Sequence, residues 1–243
     1  MSGSLAQPDP DQVHIPPDGH HRDVTGGALR AGVFGAMDGL VSNFSLVAGV
    51  IGAGLSTRNV ILTGLAGLAA GAFSMAAGEY TSVASQTEAT EAEIAKEKLE
   101  IARNPVGEAA ELAEIYESYG MSPEIAAEAA RQITEHPEHS WRVHAREELG
   151  VDPDDLPSPY VAAGSSFLFF TVGALIPLIP LFFGFGSVWG VALVSAFGLF
   201  ASGAIVARLT TRPVWFGGGR QLLLGLVAAA ATYGFGALVG GIG

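Results

Sequence analysis

The residues in this chain that could do chemistry are carboxylates set at helical intervals. Glu97 and Glu100 stand three apart, Glu108 and Glu111 repeat that interval, and His144 and Glu148 stand four apart. Each pair falls on one face of a helix. If the three faces converge, they form a cage of carboxylates with one imidazole, a donor set that suits borderline divalent metals such as Fe2+, Mn2+ or Zn2+. Carboxylates held that close repel one another unless a cation or a proton neutralises them. The competing reading is a solvated acidic surface with Glu–Lys pairs such as Glu93 with Lys96, which is what charge runs usually are. Two further groups stand in apolar surroundings. Asp38 is the one acid in the long apolar run that contains it. A carboxylate at membrane depth is costly unless it meets a wet cavity or a partner, so such acids mark ion pathways or bond to a neighbouring helix. Ser42, Asn43 and Ser45 are candidates for the same face. Met75 is soft and polarisable, although a lone methionine is more often packing than ligand. Glu79, four residues later, shares its helical face.

The elements that must carry these groups are apolar runs of about 20 residues, long enough to cross a membrane as helices. The first expected span covers 29–53. The second covers 60–84 and turns polar without a Gly or Pro break, so the same helix continues into an acidic insert as far as Arg103. Asn104–Pro105 stops that helix and Pro105 opens the next. Gly120 ends the second piece, Ser122–Pro123 caps a third that ends near His136–Pro137, and a last piece runs over 138–149. The Pro-rich 152–159 returns the chain to three more spans, at 160–183, 188–207 and 221–242. Pro177 and Pro180 predict a broken end to the third. The expected fold is therefore an all-α membrane protein with five transmembrane helices and a helical insert between the second and third. Its parts are a tail at 1–28 without structure, spans one and two at 29–84, the insert at 85–157, and spans three to five at 158–243. His14, His20 and His21 of the tail are read as solvated.

Charge follows the same division. The 243-residue chain has a net charge of −12, and the insert alone holds 18 acids against 6 bases, an excess equal to that of the whole chain. Such a balance excludes nucleic acid as a partner, since phosphate needs a basic face. The chain has no cysteine, which excludes disulfides and thiolate metal sites. There is no EF-hand loop, no E-x-x-H pair of a di-iron site, no H-E-x-x-H, no G-x-S-x-G and no phosphate-binding loop, so no enzyme chemistry is indicated. With the N-terminus cytoplasmic, one side holds 11 basic residues and the other only Arg58; without the insert the comparison is 5 against 1. The basic side is the cytoplasmic one. That places the N-terminus and the insert in the cytosol and the C-terminus on the opposite face.

Several motifs, in order, resemble one family. LRAGVFGAMDGLVSNFSLVAGV (29–50), GAFSMAAGEYTSVASQ (71–86), YESYGMSPEIAAEAARQI (116–133), HAREELG (144–150) and GRQLLLGLVAAAATYGFG (219–236) are together similar to the vacuolar iron transporters. The resemblance implies a five-span homodimer with a cytoplasmic metal-binding domain. It implies export of Fe2+, and often Mn2+, from the cytosol in exchange for protons; apart from the resemblance, Zn2+ and Co2+ are further candidate ions for the donor set of the insert. The membrane is the cell membrane in a prokaryote or the vacuolar membrane in a eukaryote. Residue by residue, it makes Asp38 and Met75 pore-lining and makes Glu97, Glu100, Glu108, Glu111 and Glu148 ligands of the insert. Glu79 falls in the family's G-E-Y motif. Plant members carry a methionine pair where this chain has His144 and Ala145, so His144 becomes the substitute ligand. The rival expectation is a membrane-anchored metal buffer or sensor that uses the same insert with inert spans. A ferrous oxidase is disfavoured by the missing E-x-x-H pairs.

Overall fold

A computed structural model describes residues 27–185 and 187–241, and among these every regular element is helical. Of the tail expected over 1–28, Gly27 and Ala28 instead open the first helix, and the rest, with His14, His20 and His21, lies outside the described residues. Helix α1 is Gly27–Gly52 and α2 is Thr57–Arg103; α3 (Pro105–Ser118), α4 (Pro123–Thr134) and α5 (Pro137–Glu147) form the insert. Helix α6 (Pro159–Leu175) runs through a 3-10 turn, Ile176–Leu178, into the short α7 (Ile179–Phe182). Helices α8 (Val188–Leu209) and α9 (Val214–Gly240) complete the chain. Five of these stretches are long and apolar enough to cross a membrane: Leu29–Gly52, the first half of α2, Pro159–Phe182, α8 and α9.

The spans pack closely because small residues face one another. Helices α1 and α6 run side by side, and a Cβ at Gly39 would overlap the Phe170 carbonyl, as one at Gly173 would overlap that of Ala36. Van der Waals packing through such small-residue faces is what holds helices together where lipid supplies no hydrophobic driving force. Leu40, Phe44, Val47, Val60, Leu178 and Leu199 fill the space between α1, α2, α7 and α8. Pro177 and Pro180 break the helical hydrogen bonding at the end of α6. Asn43 meets that break: its Nδ2 donates to the Ala174 carbonyl at 2.6 Å. A carbonyl freed within a membrane needs such a partner.

Helix α2 is the element that joins the two halves of the molecule. Its first half is apolar, its second half polar, and no Gly or Pro interrupts it between Gly78 and Arg103. At 1.5 Å per residue its 47 residues span about 70 Å, roughly twice the hydrocarbon thickness of a bilayer. In the insert, the Asn104 side chain accepts a hydrogen bond from the Gly107 N–H at 3.1 Å and so caps α3. Gly120, at φ +98°, makes the left-handed turn into α4. Leu112, Ala113, Tyr116, Ala126 and Ala130 form a small core between α3 and α4. Trp141 on α5 lies under Lys98 of α2, with the Nζ 3.6 Å from the ring centroid, and this cation–π contact pins α5 against α2, the strut between the two halves.

Candidate metal centre

The buried stripe of α2 in the insert is Ile94, Glu97 and Ile101. Two isoleucines, three residues before and four after, turn Glu97 inward with them. Glu108 arrives from the first turn of α3, where it is buried four residues before Leu112. His144 is fully buried on α5 and Glu148 caps the end of that helix. Each of Glu97, Glu108, His144 and Glu148 offers one ligand atom, and these atoms all lie within 4.8 Å of one another.

The electrostatics of this cluster are those of a site short of positive charge. His144 Nδ1 is 2.7 Å from Glu148 Oε1. It is also 3.2 Å from Glu97 Oε1, but that oxygen has no hydrogen-bond partner, and neither does His144 Nε2. Burial first, and then the charges of Glu148, Glu108 and Glu100, push the Glu97 carboxyl up to about 7. Burial, then Glu111 and Glu148, also raise Glu108, with His144 opposing. No lysine or arginine forms an ion pair with Glu97, Glu108 or Glu148 among the described residues. A divalent cation would satisfy the orphaned oxygen and cancel the repulsion together, which is what oxygen and imidazole donors in this number offer Fe2+, Mn2+ or Zn2+.

Two glutamates expected in the cage stand apart from this group. Glu100 is 44% exposed at its side chain and lies 3.9 Å from Lys96. Glu111 is exposed and lines an open hollow of about 840 Å³ with Glu114, Glu147 and Glu148. Glu148 belongs to both the hollow and the cluster, so the hollow leads from solvent to the buried ligands.

A second candidate site lies among the helices long and apolar enough to span a membrane. Asp38 and Met75 line one pocket of about 250 Å³, together with Ser42, Asn43, Gly67, Gly71, Ser74 and Phe170. Asn43 Oδ1 is buried there without a donor. Ser45, expected near this face, is buried but does not line the pocket. Ser74 does line it, and the signal for it in the sequence is its place beside Met75. Glu79 lies outside the pocket and forms an ion pair with Arg30 of α1 at 3.1 Å. That pairing joins residues 49 apart in the chain, and no spacing rule points to it.

A family model described as the VIT family matches residues 29–237. The chain is 40% identical over 216 residues to a vacuolar iron transporter of Acanthamoeba castellanii, covering 86% of this chain and 74% of that protein. It is 31% identical over 227 residues to vacuolar iron transporter 1 of Oryza sativa subsp. japonica, covering 91% and 88%. Vacuolar iron transporter 2 of the same plant is 30% identical over 212 residues, covering 86% of each chain. The match runs from α1, through the strut and its acid cluster, to the last turns of α9, and on that extent this chain belongs to the VIT family.

Proposed function

We propose that this chain transports ferrous iron across a membrane in exchange for protons, taking Mn2+ as well, and with Zn2+ and Co2+ as weaker candidates. The observation that carries the reading is the placement of two donor sites on one unbroken helix. Glu97 stands at the insert end of α2 and Met75 in its membrane half, about 33 Å apart at 1.5 Å per residue. The insert gathers the ion from the cytosol through the open acidic hollow and holds it at Glu97, Glu108, His144 and Glu148. Asp38 then receives it in the membrane pocket. A carboxylate there is tolerated when it is neutralised by turns, once by metal and once by a proton, and that alternation is antiport. Met75 adds a soft donor that Fe2+ accepts and that Mg2+ and Ca2+, which prefer oxygen, do not. Glu79 and Arg30 close the path on the insert side, and the incoming cation displaces Arg30 from Glu79.

The protein works as a homodimer in this reading. The Asp38 pocket opens on the surface of α1 and α2, where Leu62, Leu65, Phe73 and Tyr80 of α2 are exposed. A polar pocket facing lipid tails is unfavourable, and a second copy laid over this face encloses it. The N-terminus and insert are cytoplasmic. The relatives' names place them in a vacuole; in a prokaryotic cell the membrane is the cell membrane.

The rival, a tethered metal buffer or sensor, uses the insert alone and gives Asp38 and Met75 no task. Proteoliposomes with an imposed pH gradient separate the two. Transport predicts Fe2+ uptake that accelerates with the gradient and moves protons the other way, with Mn2+, Co2+ and Zn2+ compared in the same vesicles. A buffer predicts binding that saturates at the protein concentration, with no dependence on the gradient.

A further inference from the structure

The acids of this protein are concentrated in one half of the sequence, and residues 158–243 contain none, while that stretch carries Arg208, Arg212 and Arg220. Arg208 and Arg212 sit at the turn that ends α8; both are exposed, and neither makes an ion pair among the described residues. The turn is fixed. The Arg212 N–H bonds the Ala207 carbonyl at 2.9 Å, and Thr211 holds φ +54°, a left-handed conformation that a β-branched residue rarely adopts. By the alternation of the spans, this corner lies on the same side of the membrane as the insert.

Directly beneath the corner is an apolar groove of about 360 Å³ between α1, α6 and α8. Leu29, Val33, Phe169, Ile205, Val206 and Leu209 are among its walls. The one hydroxyl in the lining, that of Ser202, already donates to the Leu199 carbonyl. Leu209 therefore belongs to the groove while Arg208 and Arg212 flank it in the chain. Arg30, on the opposite lip next to Leu29, is engaged by Glu79 and offers less free charge. Trp215 and Phe216, exposed at the start of α9, add the aromatic pair that favours the level of lipid headgroups.

We propose that this corner and groove form a binding site for one anionic phospholipid, with the phosphate at Arg208 and Arg212 and an acyl chain in the groove. Charge complementarity selects the occupant: an uncompensated basic turn above a wholly apolar slot fits a molecule with a negative head and a hydrocarbon tail. The site is independent of the metal pathway, and its failure leaves the transport reading untouched.

Full-length protein in detergent, titrated with dioleoyl phosphatidylglycerol or dioleoyl phosphatidylcholine and followed by native mass spectrometry and thermal melting, tests it. The anionic lipid should be retained at the lower concentration and raise the melting temperature more. The double variant Arg208→Gln/Arg212→Gln should bring phosphatidylglycerol down to the phosphatidylcholine level, roughly fivefold weaker per arginine removed. Val33→Phe, which fills the groove and keeps both arginines, should weaken both lipids. Equal retention of the two lipids by the unaltered chain overturns the proposal. Glycerol 3-phosphate binding as tightly as the lipid overturns the role of the groove. Cross-links from Arg208 or Arg212 to insert carboxylates of a second copy overturn the choice of occupant.

Discussion

Glu97 and Glu100 are three residues apart on one helix and meet opposite surroundings. Glu97 is flanked by Ile94 and Ile101 and is buried, whereas Glu100 looks toward Lys96 and water. Glu108 and Glu111 divide in the same way, with Leu112 marking the buried side. Interval alone placed both members of each pair in the cage; the apolar neighbours at three and four residues were the part of the sequence that separates them. His144 was legible from its spacing to Glu148, but its 3.2 Å approach to Glu97 depends on how α5 lies against α2. Binding measured on the full chain should follow this division. His144→Ala should weaken Fe2+ or Mn2+ binding in calorimetry by roughly tenfold or more, in line with losses of metal-site groups, while Glu100→Gln should change it by less. Equal losses would return the four-residue grouping to a diffuse acidic surface. Protonation gives a second test. Glu97 sits at about 7 in the folded insert, against an ordinary value of 4.5. The metal-free fold therefore holds an extra proton between pH 4.5 and 7. The stability that proton supplies is present at the acid end of this window and is lost as the pH rises through 7, by about 3 kcal/mol at most. Metal must displace the same proton. Its apparent affinity should rise about tenfold per pH unit toward 7 and level off above. Titrations at pH 5.5, 6.5 and 7.5 would show the slope, and Glu97→Gln should flatten it; a slope unchanged in that variant would assign the proton elsewhere.

The insert helix and the second span are one object, α2, and this is the element on which the two sites depend. Its continuity was legible, because no Gly or Pro falls between the apolar and the acidic halves after Gly78. The starts of α3, α4 and α5 were legible too, each opening on Pro105, Pro123 or Pro137 at the first helical position. What the chain does not advertise is which elements touch. Asn43 reaches the Ala174 carbonyl 131 residues away, and Arg30 reaches Glu79 across 49; contacts of that range are set by the packing of whole helices. The strut has a specific expected use. Ala89 is exposed between the two sites, so Ala89→Pro removes one backbone hydrogen bond, at a cost of about 3 kcal/mol, and touches neither set of ligands. It should leave metal binding by the insert within twofold of the parent while reducing vesicle flux several-fold. Undiminished flux would show that the insert delivers metal without a rigid connection.

At the scale of the whole molecule, charge is partitioned: an anionic insert on one side, spans nearly free of charge, and a basic rim without acids in the last third of the chain. This partition was fully legible from composition, as were the five helices able to cross a membrane. The Asp38 pocket was legible only in part. The acid and the methionine could be named, but their meeting in one cavity with Ser74 and Asn43 arises from the packing of α1 against α2 and α6. The account rests on that cavity being the route of the ion. The most direct measurement is paired metal and proton flux in proteoliposomes for the parent chain and for Asp38→Asn, with insert binding measured in parallel. The account predicts that Asp38→Asn binds metal at the insert as the parent does and loses both fluxes together, by more than tenfold. Metal and proton movement at the parental rate in that variant would contradict it.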